Sequence, residues 1–257
     1  MKSKPYFNNL QGLYQGCQPP FYAAGEIEGV ALLESHWETI RDELAENLAD
    51  AARAAVCFEK KTLKKMAGWR QIELKIYGVE YPARIQLFPR TMAILSQIPG
   101  ISTIYFSLLA PQSDIAAHVG DTDAYYRMHL GLKIPTGLPD CGIEVAGQQA
   151  AWQEGRCIAF NDVYYHSVWN RTDQERIVLI IDIMRPEFRK YAVFVDSGVR
   201  ATLYHSRLYA VFSPIVELLP RILTRMGLPV FHLFSYVYHS ARLRRRQKRT
   251  GAINHER

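Results

Sequence analysis

Apolar residues recur at three- and four-residue steps through GVALLESHWETIRDELAENLADAARAA, at Leu33, Trp37, Ile40, Leu44 and Leu48. That spacing marks one face of a helix, so a helix with a buried stripe is predicted here. From Gln71 the period shortens to two. QIELKIY alternates apolar and polar residues, the pattern of a half-buried strand. PRTMAILSQIPG reads as a short helix, with Pro89 in its first turn and Pro99-Gly100 ending it. Strand-like runs then follow closely: STIYFSLL, YRMHLGLKIP, GIEVAG, GRCIAF, YYHSVW and RIVLIIDIM. Turn-rich pieces separate them, among them PTGLPDCG, AGQQ, QEG and NRTDQ. Many short strands with no helices between them predict an antiparallel sandwich or barrel.

The two ends differ from this centre. Residues 1 to about 25 hold Gly, Pro and Asn with scattered aromatics, and read as an extended arm. After Pro186 the chain is apolar, aromatic and predicted helical, with breaks at Pro214, Pro220 and Pro229. The expected organisation is an arm and flanking helix over 1–68, a β domain over 69–190, and a helical segment with a basic tail over 191–257.

Charge sharpens the reading of that tail. Net charge is +6, and RLRRRQKR (Arg242 to Arg249) carries six Lys or Arg, so the rest is near neutral. The apolar GLPVFHLFSYVYHSA leads directly into it. That order is the arrangement of an interfacial anchor on anionic membrane, and a helix packed on the barrel with a basic tip is the alternative. No recognition motif accompanies the basic run, so no nucleic acid is expected as a partner. Lys60 to Lys65 reads as a solvated basic patch. No uncharged apolar run approaches the roughly 18 residues of a spanning helix. The first residues lack the apolar core of a secretory signal. Cys17, Cys57, Cys141 and Cys157 form no CxxC pair, which argues against a zinc knuckle. The expected location is therefore cytoplasmic, at the inner face of the membrane if the anchor engages.

The candidate chemistry lies in the strands. His118 ends one strand-like segment. Arg127 and His129 lie two apart on the next, facing one side. His166 lies in a third run and Arg176 opens a fourth. Two neutral imidazoles can hold a divalent iron with open positions. A guanidinium ten residues past the second His can grip a carboxylate at two points. A lone histidine in a strand is more often structural, so the argument rests on several residues agreeing.

Those residues fall in recognisable blocks. HVGDTDAYYRMHLGLKIP, AWQEGRCIAFNDVYYHSVWNRTDQER and IVLIIDIMRPEF, with Ser107 eleven residues before His118, resemble the aspartyl/asparaginyl β-hydroxylase family. The resemblance covers about Trp69 to Phe188. It implies a mainly β fold with flanking helices, built on a double-stranded β-helix of the jelly-roll or cupin kind. It implies an Fe(II)- and 2-oxoglutarate-dependent dioxygenase, a hydroxylase using dioxygen. By the same resemblance His118 and His166 are the iron ligands. Ser107 and Arg176 bind the distal carboxylate of 2-oxoglutarate, and Arg127 and His129 its carboxylate end near the metal.

Gly120 stands where a facial-triad iron site places a carboxylate. The resemblance implies water as the third ligand there. Asp121 has the wrong parity for direct ligation if the strand continues. Asp121 and Tyr125 are the candidate substrate contacts. The branch of the family that hydroxylates proteins carries an arginine where this chain has Tyr125. LLESHWETIRDEL, GWRQIELKIYG and LSQIPGIS look like the branch that hydroxylates acyl chains of bacterial lipids, although Gly120 departs from that branch's Asp. The favoured substrate is thus a lipid acyl chain. A peptidyl or small-molecule Asp/Asn hydroxylase and a non-catalytic barrel that binds a metal or an organic acid are the alternatives.

Overall fold

The computed structural model describes residues 4–16, 18–53, 56–57, 68–216, 229–230, 232–238 and 240–241. The Lys60–Lys65 patch, Pro220 and the basic run lie outside them. Met1–Arg189 forms one compact unit and Lys190–Arg257 a second.

The described residues form twelve strands: β1 (Phe21–Tyr22), β2 (Val56–Cys57), β3 (Trp69–Ile76), β4 (Val79–Glu80), β5 (Ile101–Leu109), β6 (Ser113–His118), β7 (Tyr125–Lys133), β8 (Cys141–Val145), β9 (Gln148–Ala150), β10 (Cys157–Phe160), β11 (His166–Asn170) and β12 (Arg176–Met184). The larger sheet runs β1-β10-β7-β12-β5-β3-β2, with β4 paired to β3. The smaller runs β6-β11-β8-β9. All pairings are antiparallel. From β5 to β12 the chain alternates between the sheets, apart from the β8–β9 hairpin. That alternation is the double-stranded β-helix the sequence led one to expect.

The larger sheet buries both faces. β12 lies at its centre, and all nine of its residues are buried. Leu179, Ile181 and Ile183 join Phe106, Leu108, Met128 and Leu130 in the cluster that covers one face. The predicted helical stripe supplies the cover: Leu33 and Ile40 are fully buried there, and Leu44 nearly so. It is carried by two helices, Val30–Ser35 and Trp37–Arg53, meeting at His36. Val178 and Ile180 face the other way, toward Ile143, Val145 and Val168 of the smaller sheet. The space that matters lies between the sheets.

The Pro89–Leu95 helix begins as the sequence suggests, with Pro89 in its first turn and no side-chain cap from Phe88. Its cap comes from elsewhere. The buried Glu43 carboxylate accepts the N–H groups of Arg90 (2.8 Å) and Thr91 (2.7 Å). The Ala192–Val216 helix continues through Pro214, contrary to the expected break. Proline deletes one backbone hydrogen bond, and a long helix can survive that loss.

Two backbone donors depend on one buried carboxylate at Glu43. Glu43→Ala should cost about 2–3 kcal/mol of the first unit's stability, the range for losing hydrogen bonds to a buried charge. Urea denaturation read by circular dichroism checks this, and a variant within 0.5 kcal/mol of the parent would contradict it.

Candidate active site

His118 closes β6 and His166 opens β11, directly opposite in register. Their ring centroids are 4.1 Å apart. Each Nδ1 lies 2.9 Å from a carbonyl two residues back, Ala116 O for His118 and Tyr164 O for His166. A carbonyl only accepts, so each Nδ1 carries the proton and donates it. Each Nε2 is left with its lone pair. Burial holds both pKa values below the ordinary 6.5, and the His118 ring adds to the effect on His166. Two neutral imidazoles side by side suit a divalent metal. Among the described residues no third His, Cys, Asp or Glu joins them in a cluster.

The reason lies at Gly120. β6 ends at His118, so the parity argument against Asp121 does not apply. Gly120 N donates to Asp162 O at 2.6 Å, and a Cβ at position 120 would overlap the Asp162 carboxylate. The volume that a ligating side chain at 120 needs is already filled by a carboxylate from the β10–β11 connection. Asp162 is held there by Arg127 Nη1 at 2.7 Å. Arg127 Nε and Nη2 donate to the two oxygens of Asp182 at 2.7 and 2.8 Å. One guanidinium thus ties β7, β12 and that connection together. Burial, with Asp182 adding and Arg127 opposing, pushes the Asp162 pKa up to about 7.

The far end of the space is built for an anion. Arg176 is 1% exposed, and its Nη1 lies 3.4 Å from Ser107 Oγ. Ser107 Oγ also accepts Trp69 Nε1 at 3.0 Å. Arg176 Nε has no hydrogen-bond partner. Burial lowers the Arg176 pKa to about 10, and Cys141, Tyr105 and Glu175 offset this only in part. A buried cation with an open donor is costly unless something negative completes it.

Rings join the two ends. The Phe160 ring meets His166 at 5.5 Å and His129 at 4.9 Å. His129 stacks on Trp152 at 6.0 Å and 15°, and the Arg176 guanidinium lies over Trp152 at 4.9 Å. His129 is buried and kept neutral, first by burial and then by Arg176, Arg127 and His166. Ser107, Arg127, His129 and Arg176 of the larger sheet and the His118–His166 pair of the smaller one therefore line the space between the sheets. Tyr125 is buried two residues before Arg127, 6.1 Å from the Tyr77 ring.

The family model described as Aspartyl/Asparaginyl beta-hydroxylase matches residues 34–186. The chain belongs to that family. It is 30% identical over 203 residues to the "Ornithine lipid ester-linked acyl 2-hydroxylase" of Rhizobium tropici, covering 77% of this chain and 69% of that one. It is 32% identical over 169 residues to the human "Aspartyl/asparaginyl beta-hydroxylase", covering 63% of this chain but only 22% of the human protein. Among solved structures, a Pseudomonas putida prolyl-4-hydroxylase matches with a TM-score of 0.39 and 16% identity, covering 61% of this chain and 98% of that one.

In this β-hydroxylase-family chain, several site residues received no role from the sequence. Asp162, Asp182 and Trp152 all sit in the quoted blocks, yet spacing says nothing of what they touch. Asn8 carried no signal at all. Its backbone N–H donates to Asp121 O at 2.9 Å, and its side-chain amide donates to Gly120 O. Tyr6 N donates to Asp123 Oδ1 at 2.9 Å. The N-terminal arm is therefore strapped across the segment that follows His118.

The site predicts how metal-free protein responds to acid. His118, His129 and His166 sit below 6.5 when folded, so the stability they allow is present above pH 6.5 and lost as pH falls. Asp162, raised from 3.8 to about 7, works the other way across that window. Three imidazoles against one carboxyl leave a net uptake of protons on unfolding as pH falls below 6.5. The urea midpoint should fall between pH 6.5 and 5. A flat or rising midpoint would contradict three buried neutral imidazoles.

Proposed function

We propose that the chain is an Fe(II)- and 2-oxoglutarate-dependent dioxygenase that hydroxylates an unactivated carbon on a lipid acyl chain at a membrane surface. The observation that carries this reading is the buried Arg176 with its open Nε, joined by a wall of rings to two neutral imidazoles. In this reading His118 and His166 hold iron through Nε2. Arg176 and Ser107 bind the distal carboxylate of the cosubstrate. His129 faces its other end. Arg127 uses three of its five N–H groups on Asp162 and Asp182, which leaves two for a bound carboxylate. Iron and 2-oxoglutarate, when bound, supply decarboxylation of the cosubstrate coupled to insertion of one dioxygen atom into a C–H bond. The chain's share is to bind, orient and keep water out of the space between the sheets.

Three features support lipid as the substrate. The rhizobial relative is named for an acyl 2-hydroxylase. Tyr125 stands where a guanidinium for a substrate carboxylate is otherwise expected. Val230, Leu233, Phe234 and Val237 lie at helical spacing, each more than half exposed, in a stretch whose residues 232–238 are helical. The basic run follows directly in sequence, so peripheral contact with anionic membrane is part of the proposal. No described helix is long and apolar enough to cross a membrane.

The test is succinate formation by anaerobically iron-loaded protein given 2-oxoglutarate and then air, beside a His166→Ala control. Succinate at least tenfold above the control is expected, rising with ornithine-containing or other hydroxylatable acyl lipid. No succinate, with 2-oxoglutarate still bound, would favour a binding protein. Stimulation by Asp- or Asn-containing peptides instead of lipid would favour the β-hydroxylase reading that the human relative's name suggests.

A further inference from the structure

Buried polar atoms without partners are rare, because each forfeits its solvation. Three of them lie along one wall here: Arg176 Nε, Trp152 Nε1 and His129 Nδ1. Their residues are 1%, 2% and 4% exposed. The three side chains touch in order, His129 stacked on Trp152 and Arg176 over the same indole. Random defects would not line up this way.

Trp152 is the middle member; its ring packs in the apolar cluster between the sheets, but core packing does not account for its unmet N–H. A residue serving only to fill the interior would serve as well without a polar edge. An indole N–H can only donate, so its missing partner must be an acceptor. Arg176 is donor-only in the same way. Two adjacent unmet donors, one of them charged, call for an acidic, oxygen-rich ligand.

We infer that Trp152 is a binding residue of the organic-acid pocket, giving its indole N–H to a ligand oxygen and its ring face to Arg176. This inference rests on the proposed 2-oxoglutarate site. The ring face holds the guanidinium plane in place by a cation–π contact, which leaves the Nε edge of Arg176 free. The indole ring touches both that guanidinium and His129. Its acceptor is an oxygen of the carboxylate that Arg176 binds.

The test is anaerobic titration of iron-loaded protein with 2-oxoglutarate, followed by calorimetry, for the parent and for Trp152→Phe. The phenyl ring keeps an aromatic face under Arg176 and removes the donor. Affinity for 2-oxoglutarate should fall about tenfold or more, the value of one charge-assisted hydrogen bond. Iron affinity should stay within twofold. Unchanged 2-oxoglutarate affinity in a folded Trp152→Phe protein would overturn the inference while leaving the cosubstrate site standing. No binding by the parent would overturn both. If Trp152→Phe does not fold, the parent labelled with 15N-tryptophan and loaded with zinc gives the answer. Four indole N–H signals are expected, assigned through Trp37→Phe, Trp69→Phe and Trp169→Phe. The Trp152 signal should move downfield on adding 2-oxoglutarate, and a static signal would overturn the inference.

Discussion

The site depends on one buried guanidinium. Arg127 is gripped by Asp182 on its own sheet and by Asp162 from the connection that leads to His166. Burying three charges is worthwhile only when each is met, and breaking one partner of such a set is costly. With two acids and one base, the set keeps a proton near neutrality on Asp162. Its geometric effect is larger. It fixes the residue whose carbonyl receives Gly120 N and whose carboxylate fills the space above that glycine. That a glycine and not a carboxylate stands at position 120 is thus a packing result.

The rest follows from how β12 divides its two faces. Ile177, Leu179, Ile181 and Ile183 turn toward the helices, where an apolar cluster fixes the sheet. Arg176, Val178, Ile180 and Asp182 turn inward. One strand therefore carries the buried Arg176 at one end and the Arg127 anchor at the other, with aliphatic residues between them. The rigid outer packing lets the inner face hold unmet donors without collapsing around them.

Much of this was legible in the chain. Period-two runs gave the strands and a three-four step gave the covering helices, because both patterns follow from burial on one face. The paired imidazoles and Arg176 were legible by spacing and by resemblance to the β-hydroxylase family. Asp162 was not. Its role depends on a connection folding back over Gly120, and no local period encodes that. Trp152 was hidden differently: an aromatic beside a turn reads as core, and only its stranded N–H distinguishes it. Glu43 capping a helix 47 residues away is another contact that only the folded chain reveals.

The strap formed by the N-terminal arm bears on the order in which the molecule is made. Asn8 and Gly120 are 112 residues apart, and Tyr6 and Asp123 are 117 apart. Contacts that close so long a loop come after the local hairpins, since they gain little until both ends are already held. The arm leaves the ribosome well before its partner segment exists. It must wait through synthesis of both sheets' first strands before it can dock. The segment that follows His118 is therefore among the last parts to set, so the surroundings of the paired imidazoles are completed at the end of folding and not in its nucleus.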